Sequence, residues 1–210
     1  MIAGFYKCSY VDYPEELSSV IFLAGCNFKC PWCHNQAIVK GENNLEYNDV
    51  MATLINNKHL INHVVITGGE PTLHGENLLK LLKQLKENGF RVKLDTNGTN
   101  PGLLKEIMND GLINFIAMDI KNIWDKYELT TGVTVDTDLI KESIKLIEGS
   151  GIAYQFRTTC NKEMHTIEDI NEIKGYISDQ TKYKLQNYRY SKEQLVDNNF
   201  GSVDYIKRDN

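Results

Sequence analysis

The sequence predicts an α/β fold built on a parallel sheet, and three observations support it. Short β-rich runs alternate about six times with segments whose apolar residues recur at helical spacing. Asn88-Gly89 and Gly111 stop two of those segments where a helix should end. Each polar motif follows directly on a β-rich run, which places it at the C-terminal end of a strand. Strands and helices in this order form right-handed crossovers. Both an open doubly wound sheet and a curved partial barrel satisfy the pattern, and in either one functional residues gather at those strand ends.

Residues 1–17 read as an irregular lead-in containing Pro14, Glu15 and Glu16. Residues 18–24 are β-rich and form the first strand. A cysteine-rich loop follows, then a polar turn at 41–44 and a helix marked by Tyr47, Val50 and Leu54. Residues 64–67 form a short buried strand that runs into Gly68-Gly69-Glu70-Pro71. Leu78, Leu81, Leu82 and Leu85 define the next helix face. The third strand, 91–94, leads into Asp95-Thr96-Asn97-Gly98, and Leu103, Leu104, Ile107 and Met108 supply another helix. The fourth strand, 113–118, ends in Asp119-Ile120-Lys121. A loop with Trp124 and Gly132 precedes a helix carrying Ile140, Ile144 and Ile147. The fifth strand, 152–156, is followed by Arg157-Thr158-Thr159. Thr166 with Asp169 forms a capping box for a helix with Ile167, Ile170, Ile173 and Ile177. Residues 183–186 make a sixth strand. A single domain over 1–190 and a polar tail over 191–210 are expected.

Composition narrows the function. With 41% apolar and 24% charged residues the chain is globular. A net charge of −5 argues against a nucleic-acid partner, which calls for a basic face. No apolar run approaches the ~18 residues of a membrane span, and the N-terminus lacks the pattern of a secretory signal. A cytoplasmic protein is expected. Five cysteines, three of them crowded together, do not make a disulfide framework. Cys8 and Cys160 read as small, partly buried hydrophobes. His59, His63, His74 and His165 follow no ligand spacing and read as structural or exposed.

The crowded three are Cys26, Cys30 and Cys33, in the spacing C-x3-C-x2-C just after the first strand. Thiolates gathered by one tight loop select iron–sulfur clusters or zinc. A closed zinc site needs a fourth ligand, and His34 is poorly aimed for it. A cubane cluster held by three cysteines leaves one iron open to another ligand. Gly68 and Gly69 remove side chains at a strand end, so that a ligand can approach the backbone; the plain alternative is a glycine turn. Asp95, Thr96 and Asn97 should converge with Asp119 and Lys121 from the neighbouring strand. Arg157 reaches the same mouth or pairs with Asp119.

These motifs together resemble the radical S-adenosylmethionine (SAM) superfamily. Trp32 before the last cysteine fits the pattern, as do Cys33-His34-Asn35 and Gly68-Gly69-Glu70-Pro71. Val11-Asp12-Tyr13-Pro14 narrows the resemblance to activating enzymes of glycyl radical enzymes. The nearest branch is the one that serves anaerobic ribonucleotide reductase, with pyruvate formate-lyase activase as a relative. The likeness runs from about Phe5 to about Tyr190.

The resemblance implies a (βα)6 partial TIM barrel and a [4Fe-4S] cluster on Cys26, Cys30 and Cys33 whose open iron chelates SAM. It implies that a reduced cluster cleaves SAM to methionine and a 5′-deoxyadenosyl radical, which abstracts hydrogen from a backbone glycine of the partner. It assigns Trp32, His34, Gly68, Gly69, Glu70, Asn97, Arg157 and Arg189 to the SAM pocket and sets Lys121 against the SAM carboxylate. It lets Asp95, Thr96 and Asp119 hold a monovalent cation beside it. The activase relatives of pyruvate formate-lyase carry histidine where this chain has Arg189. Residues 8–16, with Asp12 and Pro14, should line the mouth. No ferredoxin-like cysteine insert is present, so an external flavodoxin or ferredoxin is expected as electron donor. The rivals are an activase of another glycyl radical enzyme, a radical SAM enzyme acting on a small molecule such as a deazaguanine-type synthase, and a cluster or zinc module without catalysis.

Overall fold

The computed structural model describes residues 1–40 and 45–188. Seven strands form one curled sheet in sequence order: β1 (Ile2–Tyr13), β2 (Glu16–Leu23), β3 (His63–Gly68), β4 (Arg91–Thr96), β5 (Phe115–Asp119), β6 (Ala153–Cys160) and β7 (Tyr183–Asn187). From β2 onward every pairing is parallel, whereas β1 runs antiparallel to β2. The helices are α1 (Gln36–Lys40), α2 (Tyr47–Asn57), α3 (Glu76–Glu87), α4 (Pro101–Asn109), α5 (Tyr127–Thr131), α6 (Thr137–Gly149) and α7 (Ile167–Gly175). The result is a partial barrel, as expected, with one strand more than expected.

The extra strand is β1, where the sequence reads as irregular. Its register with β2 shifts three times, and Tyr6, Tyr10 and Val11 are exposed along the free edge. Bulges of this kind destroy the apolar alternation by which a strand is recognised. Pro14 and Glu15 make the turn between β1 and β2.

Alternation across the pleat divides the strand residues between two environments. Ile21, Leu23, Val64, Ile66, Val92, Leu94, Ile116 and Met118 join the helix residues in one core on the convex side. Val20 and Val65 face the other way and pack with Tyr13, Phe22 and Phe115, an apolar floor to the concave side. The polar strand residues stand above that floor.

The last helix starts as the sequence expects. Thr166 and Asp169 make both halves of the capping box on α7, though Ile167 is exposed and Ile177 is buried just beyond the helix. The loop expected around Trp124 instead contains α5, whose Tyr127 is buried. The expected polar turn at 41–44, Arg189 and the expected tail at 191–210 lie outside the described residues. Among the described residues no helix is long and apolar enough to cross a membrane.

Candidate active site

The loop that leaves β2 carries Cys26, Cys30 and Cys33, and contacts from the start of β1, from α5 and from the turns after β3 and β4 hold it. Ala24 N–H donates to Met1 O at 2.9 Å, Lys29 N–H to Thr131 O at 2.8 Å and Cys33 N–H to Cys30 O at 3.1 Å. Phe28 is buried against Tyr127 of α5, ring centroids 6.4 Å apart. Asn27 accepts from Asn97 Nδ2 and donates to Thr99 Oγ1, both at 2.8 Å. His74 Nε2 donates to Ala24 O at 2.9 Å. A loop tied at this many points presents its thiols without a large ordering cost.

Gly68 and Gly69 border the cavity and have a packing role besides. A Cβ on Gly68, whose φ is +123°, would lie 2.3 Å from the backbone nitrogen and oxygen of Leu23. On Gly69 it would lie 1.7 Å from Gly25 O. The pair lets the end of β3 press against the root of the cysteine loop, where Gly69 N–H reaches Leu23 O and Glu70 N–H reaches Gly25 O. Gly68 O accepts from Asn35 Nδ2 at 3.1 Å, tying down the far side of the loop.

Glu70 has a structural role as well. The resemblance assigns it to the SAM pocket, and the residue borders that pocket, yet its side chain is 1% exposed. Oε1 accepts from Thr72 N–H, Thr72 Oγ1 and Thr96 Oγ1 at 2.6–3.0 Å, and Oε2 accepts from Asn97 N–H at 2.6 Å. Burial pushes its carboxyl upward while these donors pull it back. It locks the turn after β3 to the turn after β4, so Thr96 and Asn97 are held from behind.

On the concave face five charged residues form a continuous chain. Lys93 Nζ meets Asp95 Oδ1 at 2.6 Å, and Asp95 Oδ2 meets Arg157 Nη1 at 3.2 Å. Arg157 Nε meets Asp119 Oδ1 at 2.8 Å, and Asp119 Oδ2 meets Lys121 Nζ at 3.0 Å. Burial alone would push the Asp119 carboxyl up, but Arg157 and Lys121 hold it well below the usual carboxylate range. Burial works against the charge on Lys121, and Asp119 outweighs it, so its ammonium is held more firmly than usual. Register explains the convergence, because Asp119 stands opposite Arg157 in the β5–β6 pairing.

The three cysteines, Trp32, His34, Asn35, Gly68, Gly69, Asp95, Thr96, Asn97, Asp119, Lys121, Arg157, Thr159 and Gln186 border one cavity of about 330 Å³, and Asp12 borders it from β1. Ligand pockets run from about 300 to about 1,000 Å³. His34 lies at the rim, stacked on Tyr188 with centroids 5.0 Å apart. Pro14 does not join them; it lies beside His63 and Arg91 at the opposite end of the barrel. Cys8 is exposed on β1, not partly buried. His165 is buried and donates from Nε2 to Lys121 O at 2.8 Å, a structural role.

Sequence reasoning missed Lys93, Asn27 and Tyr127. Lys93 had a local signal, a lysine between Val92 and Leu94 in an apolar strand. The other two act through contacts 70 and 6 residues away in sequence, which no local pattern reveals.

The donor set is three thiols, the ligands that iron–sulfur clusters take. Among the described residues no three His, Cys, Asp or Glu side chains come close enough to share one metal ion. A cubane does not ask that of them, because each cysteine binds its own iron. Burial pushes the Cys26 thiol up to about 11, with Phe28 N–H pulling it back, and raises Cys30 as well. Lys121 and Arg157 at the other side of the cavity suit a carboxylate.

A parallel half-barrel with a three-thiol loop at its mouth and a polar wall opposite defines a cofactor-dependent α/β enzyme. The sequence of residues 20–176 matches the model of the Radical SAM superfamily. The chain belongs to that superfamily and is a radical SAM oxidoreductase, which implies a [4Fe-4S] cluster and SAM. It is 34% identical to a Methanocaldococcus jannaschii protein assigned as a glycyl-radical enzyme activating enzyme, over 90% of this chain and 80% of that one. It is 31% identical to the pyruvate formate-lyase-activating enzyme of Clostridium pasteurianum, over 58% of this chain and 53% of that one. It is 39% identical to a 7-carboxy-7-deazaguanine synthase of Methanospirillum hungatei, over 39% of this chain and 34% of that one. In fold it matches Streptococcus suis SuiB with a TM-score of 0.66 at 19% identity, over 90% of this chain and 42% of that one. The chain therefore spans about half or less of these last three.

Proposed function

We propose that the chain generates a glycyl radical on a partner enzyme, anaerobic ribonucleotide reductase, using an electron delivered by a flavodoxin or ferredoxin. The likeness to the M. jannaschii protein extends along nearly the whole chain, whereas that to the deazaguanine synthase covers less than half. The observation that carries the reading is the open side of the barrel. Among the described residues β1 and β7 are the two edges of the sheet and do not pair with each other, and Asp12 from one and Gln186 from the other both border the cavity. An extended segment of a large substrate can enter through such an opening.

In this reading Cys26, Cys30 and Cys33 hold the cluster, and Lys121 with Arg157 receives the carboxylate of SAM. Trp32, His34, Asn97 and Thr159 shape the remaining wall. Gly68, Gly69 and Glu70 act by holding the loops around SAM. Of the carbonyls suited to the SAM ammonium, that of Gly68 is already engaged by Asn35. When bound, the cluster and SAM supply one-electron reductive cleavage and a hydrogen-abstracting radical. The protein orients SAM and keeps the reacting carbon away from water and from its own side chains.

The test is anaerobic incubation of the cluster-loaded chain with SAM, reduced flavodoxin and the candidate reductase. A glycyl radical doublet in the electron paramagnetic resonance spectrum, matched by 5′-deoxyadenosine, is expected. SAM cleavage with no protein radical refutes the reductase as partner. The doublet on formate-lyase instead moves the assignment there.

A further inference from the structure

The monovalent cation implied by the resemblance has nowhere to bind on its expected ligands. Asp95 and Asp119 offer four carboxylate oxygens, and each already contacts a cationic nitrogen of Lys93, Arg157 or Lys121. Thr96 Oγ1 donates to Glu70 and accepts from Gly98 N–H at 3.1 Å. Three cationic side chains stand against two carboxylates, so the chain of charges is already positive by one. A further cation on these oxygens would have to displace one of the three cationic side chains that already hold them.

Lys93 is the residue that makes the difference. Its neighbours Val92 and Leu94 are fully buried on the convex side, so Lys93 points to the concave side. In register it stands between Val65 and Phe115, both part of the apolar floor. Its stem crosses that floor, 4% exposed, and its ammonium emerges against Asp95 Oδ1 and Asp12 O, each at 2.6 Å. Asp12 is fixed in turn, its carboxylate accepting from Ser9 Oγ. A carboxylate oxygen and a backbone carbonyl are the ligands an alkali ion takes, and an ammonium satisfies both while adding direction.

We infer that the Lys93 ammonium, held by Asp95 and by the Asp12 carbonyl, stands in for the monovalent cation, so that SAM binding by this chain needs no alkali ion. Lys93 acts through Asp95 and Arg157 and is a positioning residue. The excess positive charge that it confers on the wall is then available to the SAM carboxylate. The inference rests on the proposed SAM site, and the experiment separates the two.

The SAM dissociation constant of the cluster-loaded, unreduced protein is measured by calorimetry in potassium, sodium and choline chloride. At equal ionic strength, where screening is the same, the three values are expected to agree within about threefold. A larger weakening in choline that potassium or sodium reverses overturns the inference and leaves the SAM site standing. Absence of SAM binding in all three salts overturns the site and the inference together. Lys93→Ala opens room for an ion, and its affinity is expected to fall about tenfold in choline and to recover in potassium. Lys93→Met fills that room without charge, and its loss is expected in every salt. A Lys93→Ala protein that binds SAM like the wild type in choline overturns the role of Lys93. The salt exchange on the wild type stands whether or not the variants fold.

Discussion

Replacing Gly69 by alanine tests how the cysteine loop is held. The new methyl group would lie 1.7 Å from Gly25 O, and ordinary van der Waals contact begins at 3.4 Å, so that separation must double. The shift pulls on two backbone hydrogen bonds, Gly69 N–H to Leu23 O at 2.9 Å and Glu70 N–H to Gly25 O at 2.8 Å. At about 1 kcal/mol net for each bond, with roughly 1–3 kcal/mol for overpacking, the loss comes to about 4 kcal/mol. That is a large part of the roughly 5–15 kcal/mol that holds a typical domain together. Urea unfolding of the cluster-free protein reads the stability, and iron bound per chain after anaerobic reconstitution reads the loop. Gly149→Ala is the control, because a Cβ there meets nothing within 4 Å. Gly69→Ala with the stability of that control and a full complement of iron refutes the reasoning.

Further outcomes follow from the same geometry. Cys30→Ala is expected to abolish the cluster absorbance and SAM cleavage, while Cys8→Ser, on the exposed edge of β1, leaves both intact. Glu70→Gln turns an amide N–H₂ toward a fixed backbone donor at Asn97 or Thr72, and denaturation should show a loss of about 3 kcal/mol. For Asp119 the folded carboxyl lies below its ordinary value of 3.8. Its ion pairs therefore stabilise fully above that pH, and the contribution fades as pH falls below it. Asp119→Asn should lower stability by about 3 kcal/mol at neutral pH and flatten the acid limb of the stability profile. An acid limb unchanged in the variant sinks that assignment.

Much of this molecule is legible locally. Val64-Val65-Ile66-Thr67 and the leucine stripe after it are marked by periodicity, and Thr166 with Asp169 by the chemistry of capping. The cysteine spacing and the polar residues after β3, β4 and β5 show where the site lies, because strand ends in a parallel sheet share one rim. What is illegible depends on partners distant in sequence. β1 is paired, yet its bulges and exposed tyrosines hide the alternation. The role of the glycine pair is visible only once Leu23 and Gly25 lie against it. The bracing role of Glu70 is hidden because its four donors come from Thr72, Thr96 and Asn97. The pairing of Arg157 with Asp119 is foreseen among the alternatives, whereas the contact of Arg157 with Asp95 joins strands that only the sheet brings together.

The account depends on three cysteines leaving one iron open to SAM. Electron–nuclear double resonance on the reduced, cluster-loaded protein reads this directly, using SAM labelled with magnetic isotopes in its carboxylate oxygens and amino nitrogen. Hyperfine coupling of both labels to the cluster is predicted. A cluster spectrum that neither label perturbs, with SAM bound at saturation, contradicts the account.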